Sequence, residues 1–271
     1  MHRGWLRRHH VRSWLFQQQI GAAPSDKRGR ERLGCLIVEQ SSLASVVFDM
    51  DGVLIDSEQI WDNTRRRYAA GHGGMWTPSA TRAMQGMNSR EWATYLADSV
   101  GVAGTPEDIN AGVLAELLDT YRRSIPFLPG ARDAVVRMAA IAPLGLASSS
   151  NREIIDLVLQ LSGLDSYFQV TVSAEEVPKG KPAPDVYRAT CEELGANPLT
   201  SIAIEDSENG LRSAHAAGLR VVAIPNQDFP PNPTVLQSTA TVVLDDISQL
   251  QPDVVRSLMQ HNPAESATRS A

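Results

Sequence analysis

The segment that most constrains this chain is Ser45-Val46-Val47-Phe48-Asp49-Met50-Asp51-Gly52. A short apolar run rich in β-branched residues predicts a buried strand. It runs directly into two aspartates one residue apart, then a glycine. On extended backbone the side chains at i and i+2 point to the same side, so Asp49 and Asp51 are expected to converge. Converged carboxylates repel unless a cation or a shared proton stands between them. One can then act as nucleophile and the other as general acid and base, with Mg2+ beside them. A plain turn uses the same residue types. An EF-hand calcium loop does not fit, because the acids beyond Asp51 have the wrong spacing.

The rest of the chain alternates strands and helices. Buried strands are predicted at 143–148, 169–172, 201–205 and 220–224, with an edge strand at 241–244. Helices are predicted at 129–140, 151–161, 184–194 and 207–217. Ser150 and Glu153 read as a capping box for the second of these, and Gly218 as the residue that ends the last. Such alternation implies a mostly parallel sheet covered on both faces. Residues 57–125 break the pattern: they are helical in period and contain no convincing strand. Asp56–Gln59 and Thr105–Asp108 can each cap a helix there, with Pro106 in a first helical position. Nearly seventy strandless residues directly after the acidic segment predict a separate helical insertion.

Charge is uneven. Residues 1–34 carry eight Lys/Arg against Asp26 and Glu31, a net +6, which leaves −12 for the rest of a chain whose formal net charge is −6. An acidic body is a poor nonspecific binder of nucleic acid. No apolar run is long enough to span a bilayer. The two cysteines, Cys35 and Cys191, have no metal-ligand spacing and suggest a reducing compartment, so the cytoplasm is the expected location. The basic leader has too short an apolar stretch around Trp14–Phe16 for a secretory signal. Residues 1–42 are expected to form a disordered extension.

Three further segments carry polar groups at strand ends. Ser148, Ser149 and Ser150 follow the second predicted strand, where hydroxyls and free N–H groups at a strand-to-helix junction suit a phosphate. Lys181 lies on a proline-stiffened loop in a chain whose only lysines are Lys27, Lys179 and Lys181. A lysine kept in an arginine-biased sequence suggests a positioned point charge. Glu205 and Asp206 close another strand, and hard carboxylate oxygens from two strand ends match an octahedral Mg2+ site. All of these fall at the C-terminal ends of parallel strands, the edge where open α/β sheets bind ligands.

The motifs Asp49-Met-Asp-Gly-Val-Leu-Ile-Asp-Ser-Glu58, Leu146-Ala-Ser148, Lys181-Pro-Ala-Pro-Asp185 and Glu205-Asp-Ser-Glu-Asn-Gly210 resemble, in order and spacing, the haloacid dehalogenase-like superfamily. The likeness is to its helical-cap branch, which includes β-phosphoglucomutases and sugar-phosphate phosphatases. It implies a Rossmann-like α/β core at 43–56 and 127–250, a small α-helical cap at 57–126, and a C-terminal helix and tail at 251–271. It implies that Asp49 is the nucleophile and Asp51 the general acid and base. Mg2+ would be held by Asp49, the Asp51 carbonyl, Asp206 and Glu205. Ser148, Lys181 and N–H groups near Gly52 and Ser149 would hold the phosphoryl oxygens.

The resemblance also bears on which chemistry is run. Dehalogenases need no metal and lack the second aspartate, and phosphonate cleavage uses a cap lysine that residues 57–125 lack. Mutases carry a histidine ten residues after the second aspartate, where this chain has Trp61. The expected activity is therefore hydrolysis of a small phosphate ester, most simply a sugar phosphate, by a Mg2+-dependent phosphatase. A mutase and a catalytically silent binding protein are the alternatives. Glu58, Trp61, Asn88 and Arg90 are the cap residues expected to meet the substrate. A monomer is the default assembly.

Overall fold

The computed structural model describes residues 43–84, 87–227 and 229–260. The extension expected at 1–42 and the end of the C-terminal tail lie outside them. Strand β1 (Ser45–Phe48) is buried along its whole length. It pairs in parallel with β2 (Leu144–Ser148) on one side and β4 (Ser201–Glu205) on the other. With β3 (Phe168–Ser173), β5 (Arg220–Ala223) and β6 (Val242–Val243) the sheet is six-stranded and parallel, in the order β3-β2-β1-β4-β5-β6. The chain winds outward from β1 through β2 to β3, then returns to the other side of β1 with β4. The end of β1 is thus the point where the winding reverses, which leaves a crevice at the strand tips.

Continuous apolar strands need cover on both faces. Helices α5 (Ala131–Ala139) and α6 (Arg152–Ser162) share one core with Val46, Phe48, Leu144 and Ile204. Helices α7 (Asp185–Glu193) and α8 (Glu208–Ala217) pack on the opposite face with Val47, Ala203 and Val221. Helix α8 ends at Gly218 in the left-handed conformation, as the sequence predicts. The short helix α9 (Pro233–Thr239) precedes the exposed edge strand β6, and α10 (Pro252–Gln260) packs Val255 and Met259 into the first core.

Among the described residues of 57–125 there is no strand, only α1 (Glu58–Gly71), α2 (Pro78–Ala83), α3 (Ser89–Tyr95) with the π-helical turn Leu96–Val100 that follows it, and α4 (Pro106–Arg123). Helix α4 shows why. Ile109, Val113, Leu117 and Tyr121 recur every four residues and are all buried, so one stripe faces inward. Its start carries the full capping box between Thr105 and Asp108 with Pro106 first, as expected. Leu117→Ala would cost about 2–5 kcal/mol. The chain leaves the sheet at Ile55–Asp56 and returns at Pro126–Leu128. These two crossings pair through Ile55 and Phe127, with Asp56 N–H donating to Pro126 O at 2.8 Å and Leu128 N–H to Leu54 O at 3.0 Å.

The caps expected from Asp56 and Ser150 are not formed, and the N-cap positions fall one residue later. Ser57 precedes α1 and Asn151 precedes α6, yet neither makes a side-chain cap bond. The hydroxyl of Ser150, which the sequence assigns to capping, donates to Asp51 instead, and so does that of Ser57. Donation to a carboxylate is a charge-assisted hydrogen bond, the stronger kind, and it fixes each hydroxyl on Asp51 and away from the helix start.

Candidate active site

Strand β1 ends at Phe48, and Asp49 continues its hydrogen bonding through N–H to Ile204 O at 3.0 Å. Asp51 does not lie on the strand. The backbone bends at Met50, whose carbonyl accepts from Val53, Leu54 and Ile55 in a tight loop. The two aspartates therefore diverge slightly instead of sharing one strand face. Asp49 turns toward β4 and Asp51 toward β2, and both still line one cavity.

On the Asp49 side, three buried carboxylates converge. Asp49, Glu205 and Asp206 offer oxygens that all lie within 4.8 Å of one another. Lys181 reaches in from the loop before α7: its Nζ donates to Asp49 Oδ1 at 2.8 Å and to Glu205 Oε1 at 2.6 Å. Glu205 is fully enclosed. Its Oε1 also accepts from the Tyr187 hydroxyl, and its Oε2 from the N–H groups of Asp206 and Ser207 and the Ser207 hydroxyl. Glu205 is thus the acid that fixes Lys181, while Asp49 and Asp206 keep free lone pairs. Asp206 Oδ1 is buried without a hydrogen-bond partner.

Electrostatics follow from this burial. Desolvation pushes the Asp49 pKa up to about 8; Lys181 pulls it down, and Glu205 and Asp51 push it further up. Asp206 is raised well above the carboxylate range by burial and then by Glu205 and Asp49. Burial alone would depress the Lys181 ammonium, but Asp49 and Glu205 outweigh it and hold its pKa above the ordinary lysine range. Three carboxylates with one ammonium leave an excess of negative charge in a dry site. That excess, the unpartnered Asp206 oxygen and the all-oxygen donor set fit a divalent cation.

On the Asp51 side the donors are neutral. Oδ1 accepts from Ser57 Oγ at 2.5 Å and Trp61 Nε1 at 3.3 Å. Oδ2 accepts from Ser150 Oγ at 2.7 Å and, more weakly, from Ser148 Oγ at 3.4 Å. Ser148 also accepts from the Ser150 N–H at 3.0 Å, so the serine run is folded around Asp51.

The cavity brings together Asp49, Asp51, Glu58, Trp61, Ser149, Lys181 and Asp206 from the sequence-predicted set. Ser148 and Glu205 lie buried just behind it. Gly52 is placed differently from expectation. Its N–H donates to Ile55 O at 2.8 Å, leaving Met50 and Asp51 as the loop amides without a backbone acceptor. What Gly52 supplies is space, because a Cβ there would collide with the Asp206 carboxylate. Gly210 does the same beside Glu205. Asn88 and Arg90 line a neighbouring cleft with Glu175, Pro178 and Gly180, outside the Asp49 cavity. Asn88 is occupied as the N-cap of α3, in a reciprocal box with Glu91.

Ser150, part of the serine run read from the sequence, lines the cavity as well, and sequence reasoning missed Arg65 and Trp92, which also line it. Helical spacing could have found Arg65: it stands four residues after Trp61 and seven after Glu58, on one face of α1. Trp92 belongs to a different helix, and no local pattern points to it.

Comparison with known proteins places this site in context. The profile of the family described as "Haloacid dehalogenase-like hydrolase" matches residues 46–224. Hexitol phosphatase B of Escherichia coli is 30% identical over 215 residues, 77% of this chain and 94% of that protein. A phosphorylated carbohydrates phosphatase of Thermotoga maritima is 30% identical over 179 residues, 65% of this chain and 82% of that protein. The crystal structure of CbbY from Rhodobacter sphaeroides in complex with phosphate superposes with a TM-score of 0.69 at 24% identity, covering 77% of this chain and 96% of that one, a likeness of fold.

Proposed function

Because the chain belongs to the haloacid dehalogenase-like hydrolases, we propose that it is a phosphatase that hydrolyses a small sugar phosphate, with Asp49 as nucleophile and Mg2+ as the divalent ion. The observation that carries this reading is the division of labour between the two aspartates. Asp49 sits in a charged, dry cluster beside Lys181. Asp51 sits among neutral donors across the same cavity. The hexitol and carbohydrate phosphatases among its relatives supply the substrate class.

The free oxygens of Asp49 and Asp206, with the Asp51 carbonyl, would hold the Mg2+, and Glu205 would reach it chiefly through the charge it shares with Lys181. When bound, the ion neutralises the excess carboxylate charge and that of the incoming phosphoryl oxygens. Lys181, Ser149 and the loop amides orient the phosphoryl group, with Ser148 supporting them. An Asp49 oxygen attacks phosphorus, the bond to the ester oxygen breaks, and Asp51 gives that oxygen a proton. Asp51 then takes a proton from water, whose oxygen attacks the aspartyl-phosphate. The bond from phosphorus to Asp49 breaks and inorganic phosphate leaves.

Residues 57–126 act as the cap that covers the leaving group and excludes bulk water. In mutases of this branch a histidine occupies the position of Trp61. Here the indole N–H holds Asp51 directly, which favours hydrolysis. No helix among the described residues is long and apolar enough to cross a membrane.

A panel of phosphate esters with Mg2+ and with EDTA tests the reading. Magnesium-dependent release of inorganic phosphate is the expected result. With β-glucose 1-phosphate, free phosphate should exceed glucose 6-phosphate; predominant isomerisation would overturn the assignment in favour of a mutase.

A further inference from the structure

The cavity is lined by two cations, and they are not equivalent. Lys181 gives two of its three N–H donors to Asp49 and Glu205. Arg65, on α1, stands on the wall that carries Trp61 and Trp92. Its guanidinium lies 5.2 Å from the Trp61 ring centre and 5.6 Å from that of Trp92. The two indoles meet edge to face at 6.0 Å, so Arg65 is held in an aromatic corner. Such stacking fixes the plane of a guanidinium while leaving its N–H edge without a hydrogen-bond acceptor.

That edge is unused. Arg65 Nε is buried with no hydrogen-bond partner. Among the described residues no carboxylate lies within ion-pairing distance of Arg65. Glu58 lines the same wall, but it attracts Arg65 only from beyond that range. Arg65 as a whole is half-buried, but a buried N–H donor left without an acceptor is costly and is normally satisfied. Here the opening it faces is the substrate cavity. Trp61 stands between Arg65 and Asp51, touching the first through its ring and the second through its N–H. Arg65 therefore lies on the side where the leaving group would sit.

We infer that Arg65 receives a second anionic group, a carboxylate or a further phosphate, carried on the leaving-group part of the substrate. This rests on the phosphatase reading and narrows it: the preferred sugar phosphates bear a negative charge remote from the bond that breaks. The tryptophans would cover the carbon chain between the two anions.

Matched substrate pairs test it. Glucitol 6-phosphate is compared with 6-phosphogluconate, and fructose 1-phosphate with fructose 1,6-bisphosphate, so one pair adds a carboxylate and the other a phosphate. The wild type should favour the more anionic member of at least one pair by about tenfold in kcat/KM, through KM, as expected of a bidentate arginine contact. Arg65→Gln should bring that ratio close to one, and Arg65→Lys should restore part of it. A wild type that handles the neutral members equally well or better overturns the inference, whatever the variants do. So does a ratio unchanged in Arg65→Gln. p-Nitrophenyl phosphate separates the two levels. If the wild type hydrolyses it in Mg2+ but shows no anion preference, this inference alone fails. If it does not, the phosphatase reading fails and takes this one with it.

Discussion

The ammonium of Lys181 lies 2.6 Å from Oε1 of Glu205, a carboxylate with no exposed surface. Glu205 is held by five donors in all, and Lys181 bridges from it to Asp49. This pair is the fixed point from which the charge at Asp49 is set.

Lys181→Met removes the only ammonium from three buried carboxylates. It should destabilise the fold by about 3–5 kcal/mol, the cost of leaving a buried charge uncompensated. Thermal melting without added metal measures this. Phosphatase activity should fall to background even where the variant is folded. A variant that melts like the wild type would mean that these acids are not ionised together.

Asp49→Asn should reduce phosphate release from p-nitrophenyl phosphate by at least about 10⁴-fold, since an amide replaces the carboxylate proposed to attack phosphorus. The fold should persist, because an amide fits the same space and removes one buried negative charge. Melting temperature at pH 8 should stay level or rise. Near-normal turnover would show that another group attacks phosphorus.

Acidity should act on the metal-free protein in an unusual direction. Asp49 rises from an ordinary 3.8 to about 8 on folding, and Asp206 rises as well. Between those values the folded state binds more protons than the unfolded state. Their contribution to stability is therefore complete below about 4 and is lost as the pH climbs through about 8. Melting in EDTA should drop across that window. Magnesium competes with those protons, so its stabilising shift should be larger at pH 8.5 than at pH 6. An equal shift at both would refute the link.

Gly52→Ala places a methyl group against the Asp206 carboxylate at a position with φ of 76°. Alanine is strained there, and Asp206 must move. The expected outcome is a raised half-saturating Mg2+ concentration in the phosphatase assay, together with about 1–3 kcal/mol of lost stability. Unaltered Mg2+ dependence would remove Asp206 from the ion's ligands.

The sheet was legible because its strands are short apolar runs buried on both faces, and their ends coincide with the polar motifs. Strand β4 matches its predicted span residue for residue. The helical insertion was legible from one long stripe, Ile109 to Tyr121, and from the Thr105 cap. Two kinds of feature were not. Ser150 read as a cap because capping is a local interaction, whereas its true partner, Asp51, is set by tertiary structure. Arg65 and Trp92 meet only when α1 and α3 are brought together. Strand geometry places Asp49 and Asp51 on one face, yet the bend at Met50 turns them apart and they meet only as two walls of one cavity.

Asp51 is gripped from two directions: Ser148 and Ser150 come from the tip of β2, Ser57 and Trp61 from the start of α1. One carboxylate is thus the rivet between the sheet and the helical insertion. Any excursion of α1 away from the strand tips would strip half of its hydrogen bonds at once, and in the proposed mechanism this group is the proton donor. The tip of β2 and the start of α1 thus share one acceptor, and a substitution that loosens either attachment would be felt at the other through Asp51.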